Sequence, residues 1–199
     1  MSERLFQDDV LFFQRLLSCS GLYTRRLDGQ YGQFTAAAEE AFHQRCLAIA
    51  QAEGTFDPRT ETAIHGLQLA AQPLARRSLN AIRASGRNVR LISGTRSYGE
   101  QNALFRKGRF GNPGPRVTNA RGGQSWHNFG LAWDIGLFSD VGAYLAAAQP
   151  YVAAAAFGRI AGLEWGGDWH SFPDAPHYQL ASGGERISAA RARFEAGGR

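Results

Sequence analysis

Ser125-Trp-His-Asn-Phe-Gly-Leu-Ala-Trp-Asp134 changes character halfway along. Asn128-Phe-Gly130 reads as a turn, because glycine accepts backbone angles that other residues avoid. Leu131 to Leu137 then alternates like a strand buried on one face. A strand end and the loop before it can aim the His127 imidazole and the Asp134 carboxylate at one point. Both groups are common zinc ligands, and a catalytic zinc site needs a third while keeping one position open.

The third candidate lies in Asp174-Ala-Pro-His177-Tyr-Gln-Leu180. Pro176 sets the backbone just before His177, and Tyr178–Leu180 reads as another short strand. Asp174, three residues ahead of His177, is close enough to share the site as a proton carrier without being a ligand.

S-x-H-x-x-G-x-A-x-D followed by an acid-x-x-His pair resembles the zinc D-Ala-D-Ala carboxypeptidases and L-alanyl-D-glutamate endopeptidases. The likeness extends to the endolysin branch, in which W-G-G-D-W, here Trp165–Trp169, precedes D-x-P-H. It spans roughly Leu79 to Leu180. It implies His127, Asp134 and His177 as zinc ligands and Asp174 as catalytic acid/base. It also implies an α+β fold of the DD-peptidase kind, with a small antiparallel sheet and helices. The bland reading of each residue alone is a hydrogen-bonding histidine or a turn-capping aspartate; the joint pattern carries the inference.

A chain of 199 residues, 44% apolar and 20% charged, has room for one medium or two small soluble domains. The charged start Met1–Asp9 has no apolar run, so synthesis in the cytoplasm without a signal peptide is expected, with release to the wall through a separate pore. Cys19 and Cys46, the two cysteines, form no metal motif and are read as thiols on apolar helix faces. Residues 1–72 hold six arginines against nine acids; residues 73–199 hold sixteen basic residues against eight acids. Such a basic field attracts nucleic acid. No helix-turn-helix or aromatic-basic motif accompanies it, so a nucleic-acid partner is not expected; contact with an anionic cell-envelope surface and a plain solvated face stay open as its reading.

Residues 9–71 read as three helices, with Thr35 the N-cap of the second and Asp57-Pro58 opening the third. Asp28-Gly-Gln-Tyr-Gly-Gln-Phe-Thr35 and Asp57-Pro-Arg-Thr60 resemble the peptidoglycan-binding helical module. Phe42 stands where that module has an F-Q helix ending. Gln72-Pro73 marks the boundary between a three-helix domain (1–72) and a peptidase domain (73–199).

In the second part, Asn88–Ser93 is a strand delivering Gly94-Thr-Arg96-Ser97, and a helix follows from Tyr98 to Lys107. In the resembled family the corresponding arginine projects into the active site, where a guanidinium can stabilise an oxyanion. Ser125 and Gln101 are assigned to substrate binding, Gln101 by orienting its neighbours. Residues 109–124 form a long covering loop. Residues 140–162 read as helix broken in two by Pro150. Glu164 and His170 are rivals to Asp174 and His177; the resemblance favours the latter pair and leaves Trp165 and Trp169 as groove wall. Glu185–Ala196 reads as a docked terminal helix.

The sequence therefore points to a monomeric zinc peptidase acting on bacterial peptidoglycan, endolysin-like in organisation. Which stem-peptide bond is cut, L-alanyl-D-glutamate or D-Ala-D-Ala, stays open at this level. So does a non-catalytic wall-binding protein with structural zinc.

Overall fold

The computed structural model describes residues 7–198, so the first six residues of the charged start lie outside it. The described chain carries α1 (Gln7–Cys19), α2 (Gln33–Glu53), α3 (Pro58–His65), α4 (Ala71–Ala84), β1 (Asn88–Ser93), α5 (Tyr98–Arg106), a 3-10 turn (Trp126–Phe129), β2 (Ala132–Phe138), α6 (Ala148–Gly158), β3 (Leu163–Trp165), β4 (His177–Leu180) and α7 (Ile187–Glu195). This is the expected α+β class: one four-stranded sheet, ordered β1-β2-β4-β3, with antiparallel pairings throughout. Among the described residues no helix is long and apolar enough to cross a membrane.

The chain forms two compact units, each discontinuous in sequence. One comprises residues 45–95 and 131–183 and contains the whole sheet. Its core is Ile64, Leu67, Leu79, Ile82, Leu91, Trp133, Ile135, Tyr151 and Tyr178, each at most 1% exposed. Strand alternation explains the layering: Trp133, Ile135, Tyr178 and Trp165 point into this core, and Asp134, His177, Gln179 and Glu164 take the other face.

α3 starts where Asp57-Pro58 predicts. Asp57 Oδ1 accepts from the Thr60 N–H at 3.2 Å, and Pro58 occupies the first turn. Gln72-Pro73 is not an extended linker. Both residues sit in the first turn of α4, and the fully buried Gln72 donates to the Leu67 carbonyl at 3.0 Å. Pro150 likewise lies in the first turn of α6 and does not break a helix; residues 140–147 contain no helix. The first four N–H groups of a helix have no intrahelical partner, so proline there removes nothing.

Arg76, 2% exposed on α4, forks onto Glu61 at 2.8 and 2.6 Å and reaches the Gly54 carbonyl at 2.8 Å. Burial alone raises the Glu61 carboxyl, but the Arg76 fork and the Phe56 N–H outweigh it and hold the group below its ordinary value. Glu61→Ala leaves a buried guanidinium short of its partner and is expected to cost about 3 kcal/mol at neutral pH. Because the folded value is depressed, the contribution is present above the unfolded value of about 4.3 and fades as pH falls through the folded value. Urea titrations of both proteins should therefore diverge at pH 7 and converge in acid.

The other unit comprises residues 7–44, 96–130 and 184–198. The side chain of Gln14, fully buried on α1, organises the Asp28-Gly29 turn: its Oε1 accepts from both backbone N–H groups at 3.1 and 2.9 Å. Its Nε2 faces Thr35 Oγ1 at 3.2 Å. Thr35 is thus inside α2, which begins at Gln33, and is not its N-cap. Phe194 of α7 packs against Phe12 and Phe129, with ring centroids 5.4 Å apart in each case. The terminal helix is docked, as expected. Cys19 and Cys46 are free thiols on α1 and α2, and burial pushes Cys19 up to about 11.

Candidate metal centre and active site

The Trp126–Phe129 turn ends at Gly130, whose φ of +69° lets the chain leave the turn and enter β2 at once. His127 on that turn is 2% exposed. Seven residues later, Asp134 lies on the non-core face of β2, directly opposite His177 on β4. Ligand atoms of His127, Asp134 and His177 all lie within 4.8 Å of one another.

His177 Nδ1 and Asp134 Oδ1 are 3.3 Å apart, a contact that needs a proton or a metal ion between them. Two donors each about 2.0–2.1 Å from a tetrahedral zinc ion lie about 3.3–3.4 Å apart, so the observed spacing matches one edge of such a site. Two imidazoles and one carboxylate are also the donor set of a catalytic zinc with one position left open. The residues fit the ion.

Asp174 and His177 form the ends of a tight turn, with the His177 N–H donating to the Asp174 carbonyl at 3.1 Å. The Asp174 N–H is held by the Gly166 carbonyl at 2.9 Å, and the Pro176 carbonyl accepts from Ile135 on β2 at 3.0 Å. Gly166 is required by this packing. A Cβ there would stand 2.6 Å from the Asp174 carbonyl oxygen and 2.9 Å from His177 Cβ. Gly166→Ala must push the turn away from β3. Displacements of about 1 Å near chemistry can cost roughly 100-fold in rate, and that order of loss in kcat/KM is expected, with weaker zinc retention.

The remaining candidates are distributed as follows. The Arg96 N–H donates to the His127 carbonyl at 3.0 Å, tying its loop to the turn. Asn128, fully buried, clamps that loop through Nδ2 to the Arg96 carbonyl at 2.9 Å, while its Oδ1 accepts from the Gly123 N–H at 2.9 Å. The Ser125 carbonyl accepts from the Asn128 N–H. Gln101 is 1% exposed and donates to the Ala120 carbonyl at 2.9 Å, which supports the long loop from inside. Trp169 packs its ring 4.8 Å from that of His177. Trp165, 6% exposed, packs in the core and also lines an open pocket with Trp169; its indole N–H holds the Ala175 carbonyl at 2.7 Å and so steadies the Asp174–His177 turn.

Neither rival residue joins the cluster. His170 is exposed. Glu164 is the middle residue of β3, and both of its oxygens accept hydrogen bonds, from Gln179 and from Ser182. Asn128, Gly166 and Gln179 were not singled out by sequence reasoning. Only the glycine pair after Trp165 was visible there, as part of a motif and not as a contact.

A small antiparallel sheet with a His-Asp-His cluster formed by two of its strands and the adjoining turn fits a metallopeptidase of the zinc-dependent kind. The family described as D-alanyl-D-alanine carboxypeptidase matches residues 118–180. The peptidoglycan L-alanyl-D-glutamate endopeptidase CwlK of Bacillus subtilis (strain 168) is 33% identical over 121 residues, covering 54% of this chain and 72% of that protein. The crystal structure of the L-Ala D-Glu endopeptidase ChiX of Serratia marcescens matches with a TM-score of 0.51 at 26% identity, over 63% of this chain and 89% of that one. The chain belongs to this M15 peptidase family.

Proposed function

We propose that the protein hydrolyses the L-alanyl-D-glutamate bond in the stem peptide of bacterial peptidoglycan. The observation that carries this reading is the convergence of His127, Asp134 and His177 within 4.8 Å, inside a segment shared with relatives that bear that activity in their names. A second reading, removal of terminal D-alanine, is favoured by the description of the matching family.

His127, Asp134 and His177 would hold the zinc ion. When bound, that ion polarises a carbonyl and acidifies water. Asp174 takes the proton from the attacking water and later delivers it to the leaving amine. Its support is the turn that fixes it three residues from His177. Arg96, anchored through its backbone to His127, steadies the negative charge developing on the carbonyl oxygen. Ser125 and Trp169 flank the scissile peptide, and Gln101 acts at one remove by holding the loop.

Digesting purified sacculi with the zinc-loaded chain and identifying the muropeptides by mass spectrometry tests the reaction. Expected products have D-glutamate as a new N-terminus. Loss of terminal D-alanine alone would favour the second reading, and unchanged muropeptides would remove both.

The division of labour we propose assigns wall binding to residues 1–72, through the part up to residue 44, and cleavage to 73–199, with residues 45–72 serving the sheet-containing unit as part of its core. Its support is the Gln14-held Asp28-Gly29 turn and the exposed Tyr31 and Phe34, 44% and 50% accessible. In that reading, full-length Asp174→Asn should pellet with sacculi, and adding Tyr31→Ala and Phe34→Ala should release it. The setting is that of a bacteriolytic endolysin: a monomer made in the cytoplasm that reaches the wall through a separate pore. Exposed Arg106, Lys107, Arg116 and Arg121 would favour contact with an anionic envelope surface.

A further inference from the structure

Asp134, His177, Gln179 and Glu164 form a row across the non-core face of β2, β4 and β3. Asp134 lies opposite His177, and Glu164 lies opposite Gln179. The row is a continuous chain of polar contacts. His177 Nδ1 is 3.3 Å from Asp134 Oδ1, and His177 Nε2 is 3.0 Å from Gln179 Oε1. Gln179 Nε2 is 2.8 Å from Glu164 Oε2. Glu164 Oε1 accepts from the Ser182 N–H at 2.8 Å and from its hydroxyl at 3.0 Å. Gln179 is 3% exposed, so water cannot readily substitute for any of these partners.

The direction of every proton in this chain follows from its far end. The Ser182 backbone N–H can only donate, and an ionised carboxylate can only accept. Glu164 therefore receives Ser182 on one oxygen and the Gln179 amide NH2 on the other. That orientation turns the Gln179 carbonyl oxygen toward His177, so Nε2 must carry the imidazole proton. With Nε2 holding that proton, Nδ1 is the atom left to face Asp134, where the ligand atoms converge.

We propose that Glu164 and Gln179 are positioning residues that fix the proton of His177 on Nε2 and thereby present Nδ1 as the ligand atom. The proposal rests on the zinc reading for its purpose; what the Glu164–Gln179 pair specifies is the proton on Nε2, while Nδ1, 3.3 Å from Asp134 Oδ1, shares a proton with that carboxylate until a metal ion takes its place. It also gives Glu164 an occupation distinct from proton transfer to substrate.

Glu164→Gln breaks the order. With one oxygen left, the new amide either meets the Ser182 N–H with its own NH2 or forces Gln179 to flip. A flipped Gln179 presents NH2 to Nε2, which must then accept, moving the proton to Nδ1 and blocking that atom. Exchanging the pair, Glu164→Gln with Gln179→Glu, restores the order: the amide oxygen at 164 accepts from Ser182, its NH2 donates to the carboxylate at 179, and that carboxylate accepts from Nε2–H.

The test uses the full-length protein. Two-bond 1H–15N correlation of the metal-free chain should show a proton held on His177 Nε2, whatever proton Nδ1 shares with Asp134. Glu164→Gln should shift it toward Nδ1, and the exchange variant should return it. Zinc affinity by chelator competition should fall about 10–100-fold in Glu164→Gln, the usual cost of losing an outer partner of a metal-binding histidine, and recover in the exchange. Gln179→Met supplies the same readouts should Glu164→Gln misfold. An unchanged His177 tautomer in Glu164→Gln or Gln179→Met overturns the proposal, as does equal zinc affinity in either. Failure of the wild type to bind zinc would instead sink the zinc reading, leaving the tautomer to decide this one.

Discussion

Asp174→Asn is expected to lower kcat by about 10²–10⁴-fold, the usual cost of losing a positioned general base, while zinc content and stability stay at wild-type levels. The substitution is nearly isosteric, and backbone hydrogen bonds hold the turn. Its backbone is held by the Gly166 carbonyl on one side and by the His177 N–H on the other. The comparison that matters is with Glu164, the other acid in this region. Its two oxygens are occupied by Gln179 and Ser182, so Glu164→Gln should act through zinc affinity and keep most of kcat at saturating zinc. Kinetics of both variants at matched zinc occupancy separate the roles. An inactive, zinc-loaded Glu164→Gln beside an active Asp174→Asn would reverse the assignment of the base.

The second large effect is expected from His127→Ala. His127 is 2% exposed and is the one member of the cluster that lies outside the sheet. Its removal leaves one imidazole and one carboxylate, too few for a site that needs three protein ligands. Zinc affinity should fall by more than the roughly 100-fold that outer-shell changes alone produce, and activity should fall with it. Asp174→Asn and His127→Ala thus predict opposite patterns: full metal without turnover, and loss of both. Chelator competition and steady-state kinetics on the same preparations distinguish them.

Much of the fold was legible because its signals are local. Asn88–Ser93 alternates and is β1, and Asp57-Pro58 carries its own cap and start for α3. Elsewhere local signals misled because distant contacts decide. The Thr35 hydroxyl, a good N-cap by type, is instead met by Gln14 from 21 residues away. Pro73 and Pro150 look like breakers, yet each falls in a first turn where no hydrogen bond is lost. A three-residue strand such as β3 shows no period, so nothing in the sequence tells that Trp165 faces the core and Glu164 the opposite side.

The site divides in the same way. The chemistry-bearing residues were visible as residue types at a recognisable spacing. The residues that hold them were not, because cross-strand pairs and close backbone approaches leave no trace in local sequence. Gln179 matters through its partner on β3, Gly166 through the Cβ it lacks, and Asn128 through two loops that are far apart in the chain.

X-ray absorption at the zinc edge of the loaded full-length chain tests the central claim most directly. The account predicts a first shell of nitrogen and oxygen at about 2.0–2.1 Å, with the multiple scattering of two imidazoles, reduced to one imidazole in His127→Ala. A sulfur shell near 2.3 Å, which would place the metal on cysteine, or the absence of imidazole scattering from the wild type would contradict it.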